Sequence, residues 1–405
     1  MRSEPRSRVV MGSNPGRNRA HNRRVVLEVL RTNGPTGRTR IADMAQLSSQ
    51  AVTQIIEELV NEGLVKAGAR LRNGRGQPPI QFAINRNGPM TVGIEIAADH
   101  ITMLLTDLTG TVRAARDIAV TATDPAHVIP LLRRELDGLH PDDGAQVPGL
   151  LGIGVVMPGP FEVEALSAAG PTTLPGWNKV DPVAALSEGL GMPIQLQNDA
   201  TAAAVGERLY GAGLKIDDFC LIYLSAGLGL GIIQGGRPTS GAYGNAGEIG
   251  HLIAVPGGRP CSCGQQGCLE QYASLVALSD AYRAAGRTMP QSEALCPDDP
   301  VFDTWARQAT ACLRPVVAIL ENILDPQCII LSSAVPDQII DRLIHLMHPL
   351  PVSVAARENR AVPRLLRGST GRRTAALGAA ALPLMHELTP VLQHVQPQEQ
   401  EHTHE

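Results

Sequence analysis

One histidine and three cysteines stand close together in the chain: His251, Cys261, Cys263 and Cys268. Imidazole nitrogen and thiolate sulfur are the ligands of tetrahedral zinc, and a set of one histidine and three cysteines fills all four positions. It therefore makes a closed, structural site rather than a catalytic one with an open position. Gly257, Gly258, Gly264 and Gly267 supply the backbone freedom that tight turns around an ion require. The expectation is one structural zinc per chain. The chain has 7 cysteines, an odd number, and its N-terminus carries charge without an apolar h-region. Clustered thiols in such a chain point to metal before disulfides. The alternative, four unrelated residues with reduced and buried cysteines, fits the spacing poorly.

A second group of residues suits DNA. Residues 1–88 carry 15 Lys and Arg against 6 Asp and Glu, a net +9, while the remainder of the chain is −13. A basic segment joined to an acidic body suggests a nucleic-acid module fused to something else. Apolar residues at helical spacing predict three short helices: from Asn22 to about Asn33, Arg38 to Gln46, and Ser49 to Asn61. An alternating strand at Ile80–Ile84 closes a hairpin behind them. Three helices and a hairpin make a winged helix-turn-helix. Its second motif helix presents Ser49, Gln50, Thr53 and Gln54 away from the apolar stripe, where they can meet base edges in the major groove. Arg70, Arg72 and Arg75 in the Gly-rich wing suit phosphates or a narrow minor groove. A helical protein-interaction module is the competing reading of this segment.

At 405 residues the chain exceeds what one core usually fills, so two or three domains are expected. Aromatic residues are only 3%, which argues against single-strand binding on stacking platforms. No apolar run reaches the roughly 18–20 residues that span a bilayer, and the expected location is cytoplasmic. Beyond Asn87-Gly88-Pro89 the pattern turns α/β. Strands are expected at 91–96, 101–107, 152–156, 194–197, 219–224, 231–234 and 328–331, with helices near 125–138, 200–210, 275–285, 302–324 and 334–346. Residues 1–20 read as a flexible basic arm and 389–405 as a disordered tail.

Gly247-Glu248-Ile249-Gly250-His251, followed by Cys-x-Cys-Gly-x-x-Gly-Cys-x-Glu, resembles the signature of the ROK family of repressors and sugar kinases. Asn198-Asp199-Ala200 resembles the family's sugar motif, Leu174-Pro175-Gly176-Trp177 its Leu-x-Gly-Trp loop, and Met157-Pro158-Gly159-Pro160 its sugar-side turn. The resemblance implies a two-lobe, actin-like (ribonuclease H-like ATPase) sugar-kinase fold behind the winged helix. The expected division is a winged helix-turn-helix at 21–88, a first lobe at 89–200 joined by a C-terminal helix near 372–388, and a second lobe at 201–371 carrying the zinc knuckle. It also implies that Asn198, Asp199, Glu248, His251 and Glu270 face a sugar. Amides and carboxylates that bridge two hydroxyls select a sugar by orientation, because a wrong sugar leaves buried polar groups unpaired. Asp199 has a second reading as the N-cap of the helix that follows it.

The elements that hold phosphate in the family's kinases are altered. Glu95-Ile96-Ala97-Ala98-Asp99 stands where the kinases resemble Asp-x-Gly-Gly-Thr. Ser225-Ala226-Gly227-Leu228-Gly229-Leu230-Gly231 stands for Gly-Thr-Gly-x-Gly-Gly-Gly, and Ser332-Ser333-Ala334 for a triple-glycine turn. The resemblance thus leads to a regulator rather than an enzyme. Its expected partners are a double-stranded DNA operator, a sugar or sugar-phosphate effector and further copies of itself, as a homodimer or homotetramer. Lobe closure would act on the winged helices through the linker near Arg86–Met90. An active sugar kinase carrying a DNA-binding domain, with Asp199 as general base, is the alternative; a regulator governed by a protein partner is a third.

Overall fold

The computed structural model describes residues 19–70, 80–159, 174–355, 357 and 359–388. The chain begins with α1 (Arg19–Asn33), β1 (Thr36–Gly37), α2 (Arg38–Ala45), α3 (Ser49–Asn61), β2 (Val65–Arg70) and β3 (Ile80–Ile84). Gly34 takes φ +70 and ends α1; Gln46 takes φ 52 and turns the chain from α2 into α3. Ser48 caps α3 by accepting the Ala51 N–H. The three strands form an antiparallel sheet in the order β1-β3-β2. Val26, Leu30, Ile41, Val52, Ile56 and Leu59 form the core, as the helical stripes require. This is a winged helix.

Two five-stranded sheets follow. The first contains β4 (Met90–Ile96), β5 (His100–Thr106), β6 (Val112–Ala119), β7 (Leu150–Val156) and β8 (Ile194–Gln197), in the order β6-β5-β4-β7-β8. Helices α4 (Pro125–Asp137) and α5 (Pro182–Leu190) accompany it, and α6 (Asp199–Tyr210) follows β8. The second contains β9 (Phe219–Leu224), β10 (Leu228–Gln234), β11 (Arg237–Pro238), β12 (Cys328–Ser333) and β13 (Leu365–Arg367), in the order β11-β10-β9-β12-β13. Its helices are α7 (Glu270–Ala273), α8 (Leu275–Ala284), α9 (Pro300–Leu324) and α10 (Asp337–Met347); α11 (Thr374–Leu388) ends the described chain. Each sheet joins an antiparallel hairpin to parallel strands, the first through β4 and the second through β9. That is a duplicated, mixed α/β architecture.

The sheets are held together by small residues. A Cβ on Gly93 would lie 2.1 Å from the Ala376 carbonyl oxygen and one on Gly154 1.9 Å from that of Ala379, so α11 rests directly on β4 and β7. A Cβ on Gly378 would lie 1.9 Å from the Ala202 oxygen, and one on Gly231 2.4 Å from that of Ala200. Helix α6 is therefore wedged between α11 and the second sheet, with Ala200 to Leu209 buried throughout.

The structure adds elements that the sequence pattern did not reveal. Strand β6 is an edge strand whose residues are mostly exposed or half-buried, so it carries little apolar alternation. Helix α5 and the short strands β1, β11 and β13 were likewise not expected. The expected helix at 334–346 starts at Asp337, because Pro336 sits before its first turn. Arg72, Arg75, the basic arm to residue 18 and the tail from 389 lie outside the described residues. So does the side chain of Arg70.

Candidate functional site

The histidine and three cysteines assemble as expected. Their four ligand atoms lie within 4.8 Å of one another. Cys263 and Cys268 Sγ are 3.6 Å apart, and Cys261 Sγ is 3.6 Å from His251 Nδ1. Zn–S bonds of about 2.3 Å and Zn–N bonds of about 2.0 Å in a tetrahedron give ligand–ligand edges of roughly 3.5–3.8 Å, so the set fits a metal of that kind. Gly267 takes φ +84, and a Cβ there would lie 1.7 Å from the Val255 oxygen; only glycine lets the Cys268 strand pass. Tyr272 braces the other side. Its hydroxyl accepts the Arg259 N–H at 2.8 Å, and the Arg259 guanidinium lies over its ring. Burial first, then the neighbouring thiols, pushes the Cys268 thiol up to about 12. A dication would reverse that balance by taking the place of the protons.

With Nδ1 turned to the cluster, His251 keeps Nε2 for another partner. Of the other expected sugar residues, Glu270 lies 3.7 Å from His251 Nδ1 and Glu248 is near enough to feel the charge of that histidine. A Cβ on Gly159 would lie 3.5 Å from Glu248 Oε1 and 3.8 Å from Asn198 Cβ, so these residues converge on the turn after β7. Asp199 follows Asn198 at the start of α6. Its Oδ1 accepts its neighbour's Ala200 N–H at 2.8 Å, and its Oδ2 accepts the Ser225 hydroxyl at 3.2 Å. Burial raises the Asp199 carboxyl, against the bonds from Ala200 and Ser225; burial also raises Glu248, with His251 opposing and Asp199 and Glu270 adding. Carboxylates held in this way are strong acceptors for hydroxyl donors.

One detail differs from expectation, and a second adds to it. The N-cap of α6 is Asn198, whose Oδ1 accepts the Thr201 N–H at 2.7 Å, and not Asp199. The carboxylate of Glu270 leans on the metal cluster: its Oε1 is 3.1 Å from Cys261 Sγ and 3.7 Å from His251 Nδ1. Ser225 was missed as a partner of Asp199, because 26 residues of chain separate the two.

The residues expected to face DNA are separate, on α3. Ser49, Gln50 and Gln54 are exposed; Thr53 is half-buried and its hydroxyl donates to the Ser49 carbonyl at 2.8 Å. The acids of this region are matched by arginines. Glu58 pairs with Arg19 and Glu62 with Arg23, both on α1, and Glu57 lies 3.8 Å from Arg38. The exposed N-terminal half of α3 is left with neutral hydrogen-bonding side chains.

Residues 91–385 match the model of the ROK family. The chain belongs to that family. It is 26% identical over 378 residues to the xylose repressor of Bacillus subtilis (strain 168), spanning 91% of this chain and 96% of that protein. It is 25% identical over 319 residues to the DNA-binding transcriptional dual regulator NagC of Escherichia coli (strain K12), spanning 75% and 78%. Among solved structures it resembles a ROK family transcriptional regulator described as a homolog of the E. coli MLC protein, with TM-score 0.69 and 24% identity over 91% of this chain and 97% of that one. A ROK family glucokinase from Streptomyces griseus, solved with glucose and AMPPNP, gives TM-score 0.59 and 26% identity over 72% of this chain and 98% of that one. No described helix is long and apolar enough to cross a membrane.

Proposed function

We propose that the protein is a transcriptional repressor whose hold on DNA is set by a sugar or sugar phosphate bound in the cleft. Similarity to a xylose repressor across both the winged helix and the lobes supports this. The observation that carries it is the joint presence of the α3 face and the polar cluster at Asn198, Asp199, Glu248, His251 and Glu270. Gln50, Thr53 and Gln54 would read base edges from the major groove. A two-fold pair of chains would suit half-sites about 10 bp, or a multiple, apart. The metal that the histidine and three cysteines best suit is zinc, which would hold His251 with Nε2 toward a hydroxyl.

On the same reading phosphoryl transfer is not expected. Ala97 and Ala98 stand where the kinases have two glycines, and Asp99 places an exposed carboxylate where they have threonine and phosphate would need neutral donors. Leu230 is buried in the second lobe's core. Ser332 and Ser333 are buried in β12 and donate to Thr374 Oγ1 and the Leu224 carbonyl. Leu230, Ser332 and Ser333 fill the places of glycines that would admit a nucleotide.

The test is a thermal-shift panel of sugars, each with and without Mg-ATP, with metal analysis of the same sample. A ligand at 100 times its dissociation constant adds about 2.7 kcal/mol. The expected result is one zinc per chain and a shift with one sugar that Mg-ATP does not change. Asp199→Asn should abolish the shift. A shift with Mg-ATP, deepened by sugar and accompanied by ADP release that Asp199→Asn removes, would instead establish a sugar kinase carrying a DNA-binding domain. The likeness to the glucokinase supports that second reading.

A further inference from the structure

The winged helix is not merely tethered to the lobes. Its core is continuous with theirs: Val26, Leu27 and Leu30 share one apolar cluster with Val205 and Leu209 of α6 and with Ala381, Leu382 and Leu384 of α11. Beside this contact lies a group of charges. Arg31 of α1 donates from Nη1 to the Leu209 carbonyl at 2.9 Å and to that of Arg208 at 3.4 Å, the last carbonyls of α6. Its Nε and Nη2 grip both oxygens of Glu28, at 2.8 and 2.6 Å. Glu28 Oε1 also accepts Arg208 Nη2 at 3.0 Å, and Arg208 reaches on to Asp217 Oδ1 and the Leu214 carbonyl. The side chains of Arg31 and Arg208 are only 6% and 8% exposed, which makes this a built joint rather than a surface pair.

The opposite end of α6 carries Asn198 as N-cap and Asp199 in its first turn. The helix is 12 residues, about 18 Å, and is buried along its length against the glycine contacts described above. We propose that α6 is the relay between cleft and DNA: ligand-dependent movement of its first turn is delivered to α1 through the Glu28–Arg31–Arg208 joint. A close-packed helix transmits displacement because its surroundings cannot deform smoothly around it. A cation at its C-terminal carbonyls is also favoured by the helix dipole, so Arg31 holds α1 to the one end of α6 where a basic group gains most. The relay rests on the sugar reading of the cleft. It assigns the signal to α6 rather than to the linker near Arg86–Met90.

The test is hydrogen–deuterium exchange of the α1 peptide in full-length, zinc-loaded protein. The probes are D-glucose, D-xylose, N-acetyl-D-glucosamine, D-glucose 6-phosphate and N-acetyl-D-glucosamine 6-phosphate, with binding read separately by thermal shift. Peptides from α9 serve as internal control. Linked sites are commonly coupled by about 5–150-fold, so the sugar that binds should change α1 exchange in the wild type by about fivefold or more. In Arg31→Met the same sugar should still shift the melting temperature while the α1 response falls below about twofold. Arg31→Lys keeps the charge but not the fork, and should respond in between. A merely structural role for Arg31 would raise α1 exchange equally with and without sugar and leave their ratio unchanged, which would overturn the relay. Sugar binding to the wild type with no change in α1 would overturn it as well, while leaving the sugar reading intact. If no probe shifts the wild type, the sugar reading falls and the relay with it.

Discussion

At the residue scale the group around Asp199 holds carboxyls that water would normally keep ionised. Glu95, on β4, is the extreme case. Burial pushes its carboxyl up to about 7, with Asp199, Asp117 and Asp99 adding to the effect and His100 opposing it. A glutamate in the unfolded chain titrates near 4.5. The folded protein therefore holds this proton more tightly than the unfolded chain. That contribution is fully present below pH 4.5 and is lost as pH rises through about 7. Glutamine copies the protonated form and does not titrate. Glu95→Gln should match the wild type at about pH 4 and exceed it by on the order of 2–3 kcal/mol at about pH 8. Chemical denaturation at both pH values checks this. The two tryptophans help, since Trp177 lies in the core of the first lobe and Trp305 in that of the second. An equal margin at both pH values would mean that the Glu95 carboxyl titrates in the folded protein as it does in the unfolded chain.

At the scale of elements, the contact between α6 and α11 depends on missing side chains. Alanine is the better helix former by about 1 kcal/mol, so propensity alone would favour Gly378→Ala. The new Cβ would lie 1.9 Å from the Ala202 carbonyl oxygen and 2.3 Å from its carbon, both backbone atoms of a buried helix. The helices must part, and overpacking of this kind costs about 1–3 kcal/mol or more. The clash should win, with a net loss of about 2 kcal/mol by chemical denaturation. Gly189→Ala in α5 makes the contrast. Its Cβ would lie 2.1 Å from Ile129 Cγ2, a side-chain rather than a backbone atom, but a β-branched residue in a helix has little rotamer freedom, so the variant should lose less than Gly378→Ala without being neutral. The same elements show what was legible in the sequence. The metal cluster was readable because its ligands are local and their turns are glycines. Helix α3 was readable because its apolar stripe and Ser48 cap are periodic and local. The cap of α6 was not, since Asn198 and Asp199 are adjacent and only backbone geometry decides between them. The α1–α6 joint was not legible either. Its partners are 177 to 180 residues apart, and a helical Arg–Glu pair at i,i+3 looks like any solvated face.

For the whole molecule, charge is divided between ends that do different work. The first 88 residues are net +9 and the rest net −13. An acidic body repels DNA beyond the reach of the basic module, while the Arg19–Glu58 and Arg23–Glu62 pairs keep acids near α3 from opposing it. Phosphate contacts should then come from this segment alone, and they release counterions as they form. Binding to a random-sequence duplex, read by fluorescence anisotropy, should fall at least about a hundredfold between about 50 and 200 mM salt, as roughly four phosphate contacts demand. Gln50→Ala and Gln54→Ala should leave that slope unchanged, because neutral side chains that read bases displace no counterions. On a cognate operator each should cost about 1–3 kcal/mol at the base it touches. A flat salt dependence on the random duplex would remove the electrostatic basis for DNA binding and turn the winged helix into a protein-docking module. A steep slope that both glutamine substitutions reduce would mean that α3 lies along the phosphates rather than in the groove.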